Sequence, residues 1–226
     1  MKYPIIIALD PPNNTLKPLN WALKIIDETK DLVIGYKIGL PLVLELGREL
    51  SLVLEKTRDS ELVIADLKLA DIGDIMLTTI KKLAQIGFNT YIVHSFIGLR
   101  NGLDKISDYL KKTKGKLVTI LSMSHPGSNE VIDKNYDLLL DITLKANAWG
   151  CVVGATKPEL IMKTRRITRE KNADLKIISP GIGVQGAKPG SAIKAGADYE
   201  IIGRLITRDP RPREKLLEII NLYQGV

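Results

Sequence analysis

Eight short apolar runs rich in β-branched residues punctuate the chain: PIIIAL (4–9), LVIGYKI (32–38), ELVIAD (61–66), NTYIVHS (89–95), KLVTILS (116–122), GCVVGA (150–155), LKIISP (175–180) and DYEIIG (198–203). Each has the length and composition of a strand. Between them lie stretches with apolar residues at helical spacing, such as LNWALKIIDETK, LPLVLELGRELSLVLEK and NYDLLLDITLKANAWG. Strands that alternate with helices build parallel βαβ units. Eight units without a low-complexity linker predict an α/β protein, a (β/α)8 TIM barrel formed as a single domain by residues 1–226. A doubly wound open sheet fits less well, because its glycine fingerprint would follow the first strand, where LDPPNN stands instead. The Gly/Pro-rich SPGIGVQGAKPG (179–190) reads as a mobile loop, and RDPRPREK (208–215) as a loop and helix start with Pro212 in the first turn.

Composition narrows the function classes. The chain has 226 residues, 45% hydrophobic and 26% charged, enough to bury a sizeable core. No segment approaches the roughly 18 consecutive apolar residues of a membrane helix, and the apolar run in MKYPIIIALDPP is too short for a signal peptide. No membrane partner is expected. The single cysteine, Cys151, cannot form an internal disulfide, and no Cys/His spacing suggests a metal site, so a reducing cytoplasm is the expected location. The net charge of +7 is spread over helix faces with acids nearby, and aromatics are only 5%. A solvated basic surface explains this better than a nucleic-acid groove, and it also suits an anionic small-molecule substrate.

A barrel carries its chemistry at the C-terminal ends of its strands. Asp10, Lys37, Asp66, Lys68, His94, Ser122, Ser124 and Ser179 all fall at or just beyond such ends. The densest group is in ELVIADLKLADIGDI (61–75). Side chains alternate along a strand, so Asp66 and Lys68 share a face if the extended geometry continues. Asp71 follows where the chain must turn into a helix. A lysine between two carboxylates stays protonated and keeps both acids ionised. Such a cluster is costly to bury for stability alone. Fixed negative charge beside a proton donor points to chemistry. The competing reading makes Asp71 a helix cap and Lys68–Asp66 a solvated pair.

DLKLADI resembles the Asp-x-Lys-x-x-Asp-Ile signature of the orotidine 5'-monophosphate decarboxylase family. ALD at the first strand end, YKIG at the second, MSHPG (123–127), SPGIGVQG (179–186) and IIGR (201–204) resemble the family's other landmarks, in order and over nearly the whole chain. The resemblance implies cofactor-independent loss of CO2 from C6 of the pyrimidine, giving UMP, the last step of its synthesis. It implies that Lys68 supplies the proton to C6 and that Asp66 lies beside the substrate carboxylate. Lys37 would anchor Asp66 and a ribose hydroxyl, and Asp10 would also hold the ribose. Ser124 would read the pyrimidine edge, Gln185 would bridge base and phosphate, and Gly203 and Arg204 would hold the phosphate. Pro180 and Ile72 complete the implied substrate contacts. Asp71 would reach across a homodimer interface into the neighbour's site. The chain departs from the family at Ile75, where a threonine is usual.

Two other readings compete. Relatives that share the barrel and the Asp-x-Lys-x-x-Asp motif are magnesium-dependent hexulose-phosphate synthases and keto-gulonate-phosphate decarboxylases. They carry an acid at the position of Lys37, and Gln185 and MSHPG also argue against them. A non-catalytic nucleotide-binding barrel would be expected to lose Lys68 or Asp66, and both are present. Single residues also have bland readings: His94 as a core histidine, Arg204 paired with Asp198 or Glu200, Trp21 and Trp149 as core.

Overall fold

The computed structural model describes residues 2–13 and 15–223. Eight strands form a closed parallel barrel in chain order: β1 Tyr3–Leu9, β2 Val33–Gly39, β3 Leu62–Leu69, β4 Thr90–His94, β5 Lys116–Ile120, β6 Gly150–Val152, β7 Lys176–Pro180 and β8 Tyr199–Ile202. Ile6 of β1 lies opposite Ile201 of β8, which closes the sheet and removes its edges. The expected (β/α)8 fold is the observed one.

The inward face of each strand is read by its period of two. Ile6 and Ala8 of β1, Leu62 and Ile64 of β3, Val118 and Ile120 of β5, with Ile92, Val152, Ile178 and Ile201, fill the barrel as one apolar cluster. Continuing the same alternation by one step brings Asp10, Asp66, Pro180 and Gly203 to the C-terminal mouth. Lys37 lies at the level of Ala8 and Ile64 in the parallel register, so it joins that layer. The outward faces pack against helices α1 Pro18–Thr29, α2 Leu40–Leu46, α3 Leu50–Thr57, α4 Gly73–Ile86, α5 Asp104–Thr113, α6 Tyr136–Lys145, α7 Pro158–Glu170, α8 Ser191–Lys194, α9 Arg204–Thr207 and α10 Pro212–Tyr223.

Two local features differ from the sequence reading. The amphipathic run from 40 to 56 is not one helix: a 3-10 turn at Gly47–Glu49, with Gly47 at φ 51°, divides it into α2 and α3. Strand β3 runs on to Leu69, but Lys68 adopts φ 49° and the pairing with β4 shifts between Ala65 and Leu69. Extended geometry therefore does not continue through Lys68. Pro212 does open α10. Trp21 and Trp149 are half-buried and pack against the core, Trp149 stacking on Tyr199 at 6.1 Å. Among the described residues, no helix is long and apolar enough to cross a membrane.

Candidate active site

A cavity of about 310 Å³ opens at the C-terminal mouth, lined by Asp10, Lys37, Asp66, Lys68, Ser124 and Gln185 and, farther round, by Pro180, Gly203, Arg204 and Arg208. Its floor is the top apolar layer of the barrel, Ala8, Ile92, Val152 and Ile201. The ends of six strands, β1, β2, β3, β5, β7 and β8, thus deliver polar groups onto one hydrophobic base.

The charges form a row of alternating sign. Lys37 Nζ lies 3.0 Å from Asp10 Oδ2 and 3.1 Å from Asp66 Oδ2, and Lys68 Nζ donates to the other oxygen of Asp66. The Lys37 and Asp66 side chains are only 9% and 8% exposed. Burial on its own would push the Lys37 ammonium down, but Asp66 and then Asp10 outweigh it and hold it above the ordinary lysine value. Burial would likewise raise the Asp66 carboxyl, yet Lys37 and Lys68 hold it below the ordinary carboxylate range. Both groups stay charged in a site where a lone charge would not.

Backbone geometry enforces this row. A β-carbon on Gly39 would sit 2.3 Å from Asp10 Oδ1, so only glycine lets Asp10 lean over the end of β2 toward Lys37. Lys68 holds a left-handed conformation that costs a non-glycine residue about 1–3 kcal/mol. In this conformation its ammonium reaches Asp66, two residues earlier on the same strand.

The lysine flanked by two carboxylates is therefore Lys37, and among the described residues Lys68 forms an ion pair with Asp66 alone. Asp71 lies outside the cavity and is exposed, its carboxylate accepting from the Ile72 backbone N–H at 2.7 Å. It does not cap α4, which has no side-chain cap. Ile72 is also outside the cavity. His94 ends β4 with its ring 4.6 Å from Phe96; burial, and then Lys68, lower its pKa. It does not line the cavity, and neither do Ser122 and Ser179, which are buried.

At the far wall Ser124 Oγ donates to Gln185 Oε1 at 3.0 Å, joining the loop after β5 to the loop after β7. Gly181, at φ 107°, permits this approach, since a β-carbon there would lie 3.0 Å from the Ser124 β-carbon. Arg204 begins α9 directly after Gly203. It pairs with neither Asp198, which binds Arg165, nor Glu200, which is buried elsewhere. Among the described residues, no carboxylate pairs with Arg204 or Arg208. Two free guanidinium groups beside exposed backbone suit a phosphate.

Sequence reasoning missed the support beneath Ser124. Lys157 Nζ donates to the Met123 carbonyl at 2.9 Å and to Asp133, while Ser128 Oγ accepts from Met123 N at 3.0 Å and donates to Asp133 at 2.7 Å. Burial would raise the Asp133 carboxyl, but the hydrogen bonds from Lys157 and Ser128 hold it low. No local spacing joins residues 123, 133 and 157. Arg208 was also missed, although its place one helical turn after Arg204 was a usable signal.

Residues 3–219 match the family described as Orotidine 5'-phosphate decarboxylase / HUMPS. The orotidine 5'-phosphate decarboxylase of Aeropyrum pernix is 42% identical over 180 residues, 79% of this chain and 72% of that protein. The crystal structure of orotidine 5'-monophosphate decarboxylase from Sulfolobus solfataricus superimposes with a TM-score of 0.80 at 35% identity, covering 99% of each chain. The enzyme of Methanocaldococcus jannaschii, complexed with the inhibitor BMP, gives a TM-score of 0.82 at 30% identity over 98% of this chain and 100% of that one. Fold, motif order and similarity over nearly the full length agree, and the chain belongs to the orotidine 5'-phosphate decarboxylase / HUMPS family.

Proposed function

We propose that the protein decarboxylates orotidine 5'-monophosphate to UMP without metal or organic cofactor. The observation that carries this reading is the row Asp10–Lys37–Asp66–Lys68. The magnesium-dependent members of the family have an acid where Lys37 stands. Here two ammonium groups already neutralise Asp66, and a divalent cation beside it would repel both.

The bond from C6 to the carboxylate breaks, CO2 leaves, and its electron pair remains on C6. Lys68 donates a proton to that carbon and regains one from water. Asp66, kept ionised by its two lysines, faces the substrate carboxylate and loses that repulsion as CO2 departs, while Lys68 stabilises the growing negative charge. Asp10 and Lys37 hold ribose hydroxyls. Ser124 and Gln185 take the base, with Gln185 reaching toward the phosphate, which Gly203, Arg204 and Arg208 bind. The 180–190 segment closes over it, so binding energy far from C6 serves the reaction.

The active unit in this reading is a homodimer with shared sites. Asp71 finds no place in its own cavity, and beside it Ile72 and Ile75 are 66% and 51% exposed. A second copy would cover these side chains and receive Asp71 and Ile72 into its own site. Ile75 offers no hydroxyl to the ribose there. A cytoplasmic setting suits the lone Cys151, buried and with its thiol pushed up by burial.

The test is Lys68→Ala. Removal of the general acid predicts a fall in kcat of about 10²–10⁴-fold or more, with the fold retained by circular dichroism. Turnover within a few-fold of wild type would reject the assignment.

A further inference from the structure

Glu200 is fully buried, yet no cation pairs with it among the described residues. It points outward from β8, the opposite way to Ile201 in the barrel interior. Its Oε1 accepts from Ala192 N at 2.8 Å, and its Oε2 accepts from Gly190 N at 2.8 Å and from the Tyr223 hydroxyl. Three parts of the chain meet on this carboxylate: β8, the start of α8 and the last turn of α10.

An apolar side chain would fill this position at lower cost, as Ile202 does one pleat further on. What the carboxylate adds is a fixed point for the segment that precedes α8. Residues 181–187 are bonded mainly to each other: Gly183 N donates to Ala187 O at 2.7 Å and Gly186 N to Gly183 O at 2.8 Å. The first foot of this segment is tied to the barrel by Ala155 N donating to Pro180 O at 2.8 Å. The second foot is Gly190, in the left-handed region at φ 82°, and Glu200 holds it. Between the two feet stands Gln185, which reaches Ser124.

We propose that Glu200, braced by Tyr223, is a positioning residue that fixes the second foot of the 181–190 segment so that the segment can close on the substrate's phosphate. The proposal rests on the decarboxylase reading above. It makes the C-terminal helix a strut of the lid, although α10 contributes nothing to the cavity lining.

The test compares wild type, Glu200→Gln and Tyr223→Phe on two substrates: orotidine 5'-monophosphate and orotidine, which lacks the phosphate. In Glu200→Gln the amide NH2 must face a backbone N–H, so one of the two bonds that hold the foot and the start of α8, to Gly190 or to Ala192, is lost. The expected result is a fall in kcat/KM of about tenfold for the nucleotide, the worth of one hydrogen bond to a charged group, and an unchanged kcat/KM for orotidine. Tyr223→Phe leaves both backbone bonds and should show a smaller fall with the same selectivity; it carries the test if Glu200→Gln does not fold. An equal loss on both substrates means a purely structural role and overturns the proposal, as does an unchanged kcat/KM for the nucleotide. Wild type without activity on the nucleotide would reject the decarboxylase reading itself, a result separable from any behaviour of the variants.

Discussion

Burying the Lys37 ammonium to 9% exposure strips most of its hydration, and Asp10 and Asp66 must replace it. The consequence is a pH signature. Asp66 has a lowered folded pKa, so its contribution to stability is present above the ordinary carboxylate value of about 3.9 and is lost as pH falls through the folded value. Lys37 has a raised folded pKa, so its contribution is present below about 10.4 and is lost as pH rises through the folded value. The difference in melting temperature between wild type and Asp66→Asn should therefore be widest from about pH 5 to 10 and should narrow beyond either end. A gap that stays constant down to strongly acidic pH would show that Asp66 is not ionised in the folded protein. At this scale the sequence was informative about identity and less so about contacts. Asp66, Lys68 and Lys37 stand out as charges at the ends of apolar strands. Which lysine bridges two carboxylates depends on register between strands, and DLKLAD alone does not contain it.

Between elements, the site depends on how closely strand ends approach. The methyl of Gly39→Ala would fall 2.3 Å from Asp10 Oδ1, so Asp10 must swing off Lys37. Because Asp10 is half-exposed, the variant should fold with a stability loss of about 1 kcal/mol, while KM for the nucleotide rises by about tenfold through the lost ribose contact. Unchanged KM would remove Asp10 from the ribose site. The alternation of strand and helix was legible because the hydrophobic period switches between 2 and 3.6 along the chain. The break at Gly47 and the left-handed Lys68 were not, because periodicity sees neither a 3-10 turn nor a positive φ. Glu200 was unreadable for a different reason. A lone acid inside DYEIIG gains meaning only when Gly190, Ala192 and Tyr223 are brought around it.

For the whole molecule, the barrel gathers the charged row into one cavity, while Asp71 lies outside it, exposed beside exposed isoleucines. If sites are shared, mixing the inactive variants Lys68→Ala and Asp71→Ala lets a heterodimer place both lesions in one site and leave the other intact. Activity should return after subunit exchange, toward one working site per heterodimer. No recovery after confirmed exchange, or a monomeric mass in solution, would show that each chain works alone. The central claim concerns the molecule's own charges, which are held to suffice for the reaction. Its most direct test follows the absorbance change as purified protein converts orotidine 5'-monophosphate to UMP, before and after exhaustive treatment with EDTA. Turnover at the same rate in both is the expected result; no conversion, or conversion abolished by EDTA and restored by Mg2+, would contradict a decarboxylase that works on its own charges alone.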